Sequence, residues 1–185
     1  MSESTTFGSL TFLPAREHPE LLAPPVTAAL ALLPADLPVW VAPIDAGLAD
    51  TAAFCEAYDV PMAASANCVV VTGKREGVER WAAAVVLATT RADVNGAVRR
   101  RVDVRKISFA AQEDAVARSA MEYGGITPVG LPAEWPVLID AAVAAAGPVI
   151  IGAGIRGAKV LIDGADLAKL PRAEVIEELA RPVAP

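Results

Sequence analysis

The chain alternates short apolar runs with turns that are rich in glycine, proline and charged residues. Short runs with many β-branched residues predict β-strands, because a helix that buries one face needs a longer periodic pattern. Seven segments fit this description: residues 39–42, 68–72, 80–89, 106–109, 137–139, 149–151 and 159–162. The charged turn at residues 73–77, between the second and third segments, predicts a β-hairpin.

Helical patterns are fewer and shorter. We predict helices at residues 26–33, 50–58, 93–102 and 111–121, a short alanine-rich helix after Ile139, a helical turn at 166–170, and a locally helical segment at 174–179. Asp50 is the expected N-cap of the second helix. Because strands outnumber long helices, the sequence predicts a mixed α/β (α+β) domain with a central, largely antiparallel sheet or barrel flanked by helices.

The 185 residues are enough for one domain with a substantial core. We expect residues 1–38 to form an N-terminal extension and residues 39–185 to form the domain. Whether the extension docks on the domain is left open. No apolar run reaches the roughly 18 residues that a membrane span needs, and the first residues lack the pattern of a secretory signal. We therefore expect a cytoplasmic protein without a membrane partner.

The residue types exclude several kinds of site. His18 is the only histidine and lies in the proline-rich N-terminal stretch, and Cys55 and Cys68 are not spaced as a metal or redox pair. A Ser-His-Asp triad or a Cys-His dyad needs a histidine in the structured core, and a usual zinc site needs several histidine or cysteine ligands. We expect no metal and no cofactor. The net charge of −6 argues against a protein that coats nucleic acid in general, and DNA is not an expected partner.

Two glycine-rich turns are the candidate ligand-binding elements. One runs from Gly124 to Gly130, and the other contains Gly152, Gly154 and Gly157. The second matches a dinucleotide-binding pattern, which requires a helix to follow it. Residues 158–162 predict a strand instead, so we do not expect a nucleotide cofactor there.

Five blocks follow one another in the second half of the chain: GGITPVGL, PVLID, an apolar run ending in GAGIRG, KVLI and ADLAKL. Their order resembles that of the prolyl-tRNA editing domains of the YbaK/ProX type. The resemblance covers roughly residues 39–180, and it would allow a strand followed by a tail at residues 174–179 instead of the local helix. These domains are aminoacyl-tRNA deacylases. The resemblance implies a metal-independent, trans-editing hydrolase that cleaves the ester of a tRNA mischarged with a small amino acid. The implied partner is the acceptor end of an aminoacyl-tRNA, and an aminoacyl-tRNA synthetase is an open candidate.

The resemblance also implies site residues. Asn67, Gly125 and Thr127 are the expected catalytic residues. Backbone N–H groups and the Thr127 hydroxyl in the first glycine loop would bind the ester carbonyl as charge develops, and Asn67 could orient water or the carbonyl. The expected substrate-binding residues are Gly124, Ile126, Pro128, Gly130, Asp140, Gly152 and Gly154. For Asp140 two roles stay open, since it could bind the substrate amine or cap the helix that follows.

Asn67 stands where most members of that family have lysine. An asparagine amide offers neutral donors and an acceptor, whereas lysine brings a fixed charge. The chain is therefore either an active deacylase, a tRNA-binding module of the same fold with weak or no catalysis, or a hydrolase of another small acyl ester or amide. Lys74 and Lys159 are conceivable replacements for the missing charge.

A basic cluster is the candidate contact for the tRNA acceptor stem. It consists of Arg99, Arg100, Arg101, Arg105 and Lys106. The alternative is that these side chains are solvated at a helix end, where positive charge complements the helix dipole.

Overall fold

The computed structural model describes residues 3–183, which form twelve strands and six α-helices joined by turns, short 3₁₀-helices and a π-helical segment at Val94–Val98. The strands are β1 (Thr5–Phe7), β2 (Leu10–Pro14), β3 (Val39–Pro43), β4 (Ala66–Arg75), β5 (Val78–Leu87), β6 (Thr90–Ala92), β7 (Lys106–Phe109), β8 (Val137–Asp140), β9 (Pro148–Gly152), β10 (Ala158–Asp163), β11 (Ala173–Ile176) and β12 (Ala180–Pro182). The helices are α1 (Pro24–Leu32), α2 (Thr51–Ala57), α3 (Arg99–Val102), α4 (Gln112–Ser119), α5 (Ala141–Ala144) and α6 (Gly164–Leu167).

The strands form two five-stranded sheets and one short pair. The first sheet has the order β1-β2-β3-β10-β9 and is antiparallel throughout, whereas the second has the order β11-β8-β5-β4-β7. In the second sheet β8 runs parallel to both β5 and β11. An isolated bridge between Ser65 and Ile150 connects the two sheets. This confirms the predicted mixed α/β fold with largely antiparallel strands.

The hairpin of β4 and β5 is longer than the sequence indicated. Its register pairs Ala66 with Leu87 at one end and Arg75 with Val78 at the other. Glu76 and Gly77 alone form the turn, and both have positive φ, as a two-residue hairpin turn of this hand requires. Gly73, which we had expected in the turn, lies in β4, where a Cβ would meet the Lys106 carbonyl at 2.4 Å. The glycine allows β7 to pair closely with β4.

Two other expectations need correction. Residues 174–179, predicted as locally helical, contain β11, which pairs with β8, followed by a turn. The local helical prediction was wrong, and the strand that the family resemblance allowed forms instead, because pairing with a distant strand overrides a weak local preference. The helical turn expected at 166–170 forms earlier, as α6, since Asp163 caps its first turn by accepting from the Ala165 N–H. Asp50 does precede α2, but its carboxylate makes no capping hydrogen bond.

The N-terminal stretch packs against the rest of the chain. β2 pairs with β3, and Val26 and Leu30 of α1 are buried in the main core cluster. The Ala23 N–H donates to the Ala153 carbonyl over 3.0 Å. The stretch therefore backs the second glycine turn, while the domain boundary at residue 38 stays a prediction. Among residues 3–183, none of the helices combines the length and the apolar character that crossing a membrane requires.

Candidate functional site

A cavity of about 570 Å³ opens where the two sheets meet. Its size lies in the range of small-molecule sites. The lining comes from the turn before α2, the first half of β4, the end of β7, α4, the first glycine loop, and β9 with β10. The lining residues are Ala49, Asp50, Thr51, Ser65, Ala66, Asn67, Cys68, Val69, Val70, Phe109, Ala110, Gln112, Ala115, Tyr123, Gly124, Ile126, Ile150, Ile151, Gly152 and Lys159.

The two glycine turns are joined directly by their backbones. The Gly154 N–H donates to the Gly125 carbonyl over 2.8 Å, and the Glu122 N–H donates to the Gly154 carbonyl over 2.8 Å. A Cβ at Gly152 would lie 2.5 Å from the Gly125 carbonyl oxygen. Glycine is needed here because two backbones approach each other, and the pair of turns forms one wall of the cavity.

Arg156 holds the first loop in place from outside the cavity. Its Nη1 donates to the Tyr123 carbonyl over 3.3 Å and its Nε donates to the Ala46 carbonyl over 3.2 Å. Its backbone N–H donates to the Glu122 carboxylate over 2.7 Å. The loop that carries Gly124 is therefore fixed by side-chain as well as backbone contacts.

The first glycine loop offers free donors at positions other than the expected one. The Gly125 N–H donates to the Glu122 carbonyl over 2.9 Å, so it is already used within the loop. Gly124 and Ile126 line the cavity, and their N–H groups have no acceptor among the described residues. Oxyanion donors can therefore come from the two neighbours of Gly125, whose own role as a donor stays a prediction.

Thr127 lies behind the cavity wall. Its side chain is fully buried, it does not line the cavity, and its hydroxyl has no hydrogen-bond partner in the described part of the chain. Pro128 is also buried. Gly130 has φ of +89° and packs against α1, where a Cβ would meet the Pro25 carbonyl at 2.4 Å. These three residues support the loop rather than line the space in front of it.

Of the other three expected substrate-binding residues, Gly152, Gly154 and Asp140, only the first lines the cavity. Gly152 lines the cavity, whereas Gly154, with φ of +82°, is packed against Ala23 of the N-terminal stretch. Asp140 is buried and caps α5 by accepting from the Ala142 N–H over 2.8 Å. Its other oxygen accepts from the Ala180 N–H over 2.6 Å. Both oxygens of Asp140 are thus engaged away from the cavity, as the capping alternative requires.

Asn67 lines the cavity at the beginning of β4 and is half-buried. Its Oδ1 accepts a hydrogen bond from the Thr51 hydroxyl over 2.7 Å. The Nδ2 group has no partner among the described residues, so it remains available as a donor. Sequence reasoning selected Asn67 but gave no sign that Thr51 would orient it.

Lys159 is the only cationic side chain of the described residues that lines the cavity. Its Nζ donates to the Ala49 carbonyl over 2.9 Å and lies 5.0 Å from the centre of the Phe54 ring. Burial lowers the pKa of Lys159, and the positive charge of Arg156 acts in the same direction, while the nearby Cys55 and Asp50 act in the opposite direction. The sequence named Lys159 as a conceivable replacement cation, and the register of β10 opposite Gly152 places it beside the site.

The thiol of Cys68 also lines the cavity, but burial raises its pKa from 9.0 to about 12. The thiol is therefore protonated at neutral pH, and a protonated thiol is a poor nucleophile. Within residues 3–183, no three His, Cys, Asp or Glu side chains lie close enough together to hold a metal ion.

Two exposed aromatic side chains stand at the cavity lining. Phe109 at the end of β7 is 66% exposed and Tyr123 in the first glycine loop is 56% exposed. Leaving aromatic rings in water is unfavourable, and at the edge of a pocket such rings commonly stack on ligands. No pattern in the sequence points to either residue.

None of the members of the predicted basic cluster lines the cavity, and their contacts differ. Arg105 and Lys106 line a surface concavity together with Lys74. Arg101 instead pairs with Glu174 on β11. Arg99 bonds the Asn95 carbonyl over 2.8 Å, and Arg100 is exposed. Lys106 precedes Phe109 by three residues on β7, so their Cα atoms lie roughly 10 Å apart, and Ser108 of the concavity is the neighbour of Phe109.

The model of the aminoacyl-tRNA editing domain family matches residues 45–170 of this chain. This range is more than half of the sequence and contains every residue that lines the cavity. The chain therefore belongs to the aminoacyl-tRNA editing domain family. A search of curated proteins found no match.

Solved structures share the fold at low sequence identity. A candidate trans-editing enzyme for prolyl tRNA synthetase superposes with a TM-score of 0.69 at 21% identity, over 84% of this chain and 94% of that one. A hypothetical protein matches with a TM-score of 0.64 at 17% identity, over 75% of this chain and 86% of that one. A candidate signal transduction protein from Marinobacter aquaeolei matches with a TM-score of 0.52 at 16% identity, over 84% of this chain and 30% of that one.

Proposed function

We propose that this protein is a free-standing editing enzyme that hydrolyses the ester between a small, wrongly attached amino acid and its tRNA. The observation that carries the proposal is the set of unused donors in one cavity, namely the N–H groups of Gly124 and Ile126 and the Nδ2 of Asn67. Donors of this kind bind an ester carbonyl and stabilise the negative charge that develops on its oxygen. Membership of the editing-domain family supports the same chemistry.

The reaction needs only water as a co-reactant. The water oxygen bonds to the ester carbonyl carbon, the bond from that carbon to the ribose oxygen breaks, and a water proton passes to the ribose oxygen. The products are the free amino acid and a tRNA with its ribose hydroxyl restored. An aminoacyl ester is already reactive, so positioning and charge stabilisation can suffice without a protein nucleophile. The neighbouring ribose hydroxyl of the substrate is the proposed partner of the attacking water.

The lining of the cavity favours a small amino acid. Ala66, Val70, Ala115 and Ile126 contribute short apolar side chains, and the same space also has to hold part of the terminal nucleotide. Such a pocket excludes large side chains by size but separates near-isosteres poorly. Alanine, serine, threonine and cysteine are the proposed substrates, and prolyl-tRNA is the first tRNA to test.

A path for the acceptor end leads away from the cavity. Phe109 and Tyr123 would stack on the terminal bases, and Arg105, Lys106 and Lys74 would contact the phosphates beyond them. Stacking on aromatic rings and contacts between phosphates and cations are the usual basis of binding to single-stranded nucleic acid. Because the net charge is −6, this local cluster would have to supply the electrostatic attraction.

The test is deacylation of tRNAs charged with alanine, serine, threonine, cysteine or proline, followed as release of labelled amino acid against a reaction without protein. We expect rapid release from at least one species. Asn67→Ala should lower kcat/KM by about tenfold or more, which corresponds to the loss of one productive hydrogen bond in the transition state. Asn95→Ala is the matched control, because that exposed asparagine lies outside the cavity.

Other outcomes would replace the proposal. Binding of tRNA without release from any charged species would show a tRNA-binding module without catalysis. Hydrolysis of small acyl esters or amides at the same rate with and without tRNA attached would show a different hydrolase. The neutral Asn67 makes the first of these the main alternative.

A further inference from the structure

The cavity contains a buried positive charge, that of Lys159, to which the function proposed above assigns no role. Lys159 is 7% exposed, and among the described residues no carboxylate lies within ion-pair distance of its Nζ. An ammonium has three N–H donors, and only one of them is used, in the bond to the Ala49 carbonyl. The other contact of the ammonium is the Phe54 ring, 5.0 Å away. Burying a charged group with only these two contacts is costly, and buried groups of this kind are frequent at functional sites.

The position of Lys159 brings this charge towards the reacting groups. Lys159 lies opposite Gly152 in the pairing of β10 with β9, and Gly152 packs on the carbonyl groups of Gly125 and Ile126. The strand that carries Lys159 is therefore separated from the first glycine loop by a single strand.

Lys159 and Asn67 are also anchored to the same short segment. The Nζ of Lys159 bonds the Ala49 carbonyl, and the hydroxyl of Thr51, two residues later, bonds Asn67. The turn of residues 49–51 thus fixes a cation and a neutral amide on one side of the cavity. Gly124 and Ile126 line the same cavity from the first glycine loop.

We propose that Lys159 is a catalytic residue, whose ammonium group binds the scissile carbonyl oxygen and stabilises the oxyanion that forms when water adds. This role rests on the hydrolase function proposed above. Lys159 stays protonated throughout. The negative charge appears on the carbonyl oxygen as the bond to water forms, and it disappears when the carbonyl re-forms and the ribose oxygen leaves with the water proton.

The first test compares Lys159→Met with Lys169→Met in the deacylation assay. Lys169 is the matched control, because it is an exposed lysine outside the cavity that pairs with Asp166. Loss of one oxyanion contact should lower kcat by roughly 10²-fold to 10³-fold with little change in KM. The control should equal the wild type. Unchanged kcat in a folded Lys159→Met protein would overturn the proposal.

Moving the charge distinguishes catalysis from support of the fold. Adding Asn67→Lys to the Lys159→Met protein places a cation on the other side of the cavity, and we expect it to restore kcat by about tenfold or more. A structural defect at Lys159 would not be repaired from β4.

If Lys159→Met does not fold, the wild type and Lys159→Arg are compared instead. The kcat of the wild type should fall as pH rises through the lowered pKa of Lys159, whereas the arginine variant should show no such fall. The same fall in both would overturn the proposal.

A binding measurement separates this proposal from the hydrolase function. The probes are adenosine with its ribose oxygen joined to an aminoalkylphosphonate, which carries a negative oxygen, and the neutral amide-linked aminoacyl adenosine. The wild type should bind the phosphonate at least about 10²-fold more tightly than the amide, as expected for an analogue of the transition state. Lys159→Met should lose this preference while it still binds the amide.

The outcomes are distinct. Turnover by the wild type, with turnover and phosphonate preference both retained in Lys159→Met, overturns the role of Lys159 and leaves the hydrolase. A phosphonate preference lost in Lys159→Met, without turnover of any charged tRNA by the wild type, supports the position of the charge and overturns the hydrolase. Neither turnover nor binding by the wild type overturns both.

Discussion

The hydroxyl of Thr51 donates a hydrogen bond to the Oδ1 of Asn67 across 2.7 Å and so orients the amide of Asn67. The acceptor end of the amide is engaged, and the Nδ2 end is left for a ligand. Thr51 is the first residue of α2, so the beginning of a helix fixes a side chain on β4. This contact makes the role of Asn67 open to a test that leaves Asn67 itself unchanged.

Thr51→Val should lower kcat/KM for deacylation by about twofold to tenfold, because a hydrogen bond of this kind is worth about 0.5–1.5 kcal/mol. Asn67 would then lose its preferred orientation without losing its donor. Thr90→Val is the control, since the Thr90 hydroxyl bonds the Leu87 carbonyl outside the cavity. Equal activity of the two variants would show that the orientation of Asn67 is not important for turnover.

Gly152→Ala should destabilise the protein by about 2 kcal/mol or more, because its Cβ would lie 2.5 Å from the Gly125 carbonyl oxygen and two backbones would have to separate. Gly157→Ala is the control in the same turn. A Cβ there meets no atom within 4 Å, so its free energy of unfolding should change by less than about 0.5 kcal/mol. Urea denaturation of both variants measures the difference. Similar values would contradict the close contact between the turns.

Thr127→Val should raise the free energy of unfolding by about 1 kcal/mol, because it removes a buried hydroxyl that has no partner among the described residues. Thr72→Val should lower it by a similar amount, since the Thr72 hydroxyl bonds the Arg80 carbonyl over 3.1 Å. Deacylation by Thr127→Val should match the wild type. A large loss of activity in a stable Thr127→Val protein would instead support the catalytic role expected from the sequence.

Cys68 should make stability fall at alkaline pH. In the folded protein its pKa is raised to about 12, whereas the unfolded thiol ionises near 9.0. Between these values the unfolded state binds fewer protons, so the free energy of unfolding decreases as pH rises, by up to about 1.4 kcal/mol per pH unit. Below pH 9 this contribution is absent.

The measurement is the difference in unfolding free energy between the wild type and Cys68→Ala, followed from pH 7 to pH 11. This difference cancels the titration of the other groups. We expect it to be constant up to about pH 9 and then to shift in favour of Cys68→Ala. A difference independent of pH would show that the thiol is not shielded from water.

Phe109→Ala and Tyr123→Ala should each raise KM for charged tRNA by roughly fivefold to 150-fold with a smaller effect on kcat, because stacking on one base is worth about 1–3 kcal/mol. Leu32→Ala is the control, as Leu32 is an exposed apolar side chain on α1 outside the cavity. Steady-state deacylation over a range of tRNA concentrations gives both constants. An unchanged KM in both aromatic variants would place the acceptor end elsewhere.

Local patterns predicted most of the fold. Short apolar and β-branched runs predicted seven of the ten strands of the two sheets, and the family resemblance pointed to the glycine turns that form a cavity wall. The local patterns did not predict β1, β2 or β11, and for β11 only the family resemblance allowed a strand, because its conformation depends on pairing with β8, which is more than thirty residues away in the chain. Local propensity carries little information about such pairing.

The candidate site was predicted less completely than the fold. Asn67, Gly124, Ile126 and Gly152 do line one cavity, but the sequence gave no means of placing Lys159 beside them. Its position follows from the register of β10 against β9, and a shift of one residue would turn the side chain to the other face. Donors could not be assigned within the first loop either, because the internal bond of Gly125 depends on how the loop folds back on Glu122.

The backbone bonds between the two glycine turns have a consequence for how this protein can change over evolutionary time. A wall made of main chain is insensitive to most substitutions, and those at its glycines disrupt it rather than reshape it. The opposite wall consists of side chains from β4 and α4, such as Val70 and Ala115, which can be exchanged one at a time. Changes in the shape of the cavity would therefore arise by mutation in β4 and α4, while the glycine turns keep the shape of their own wall.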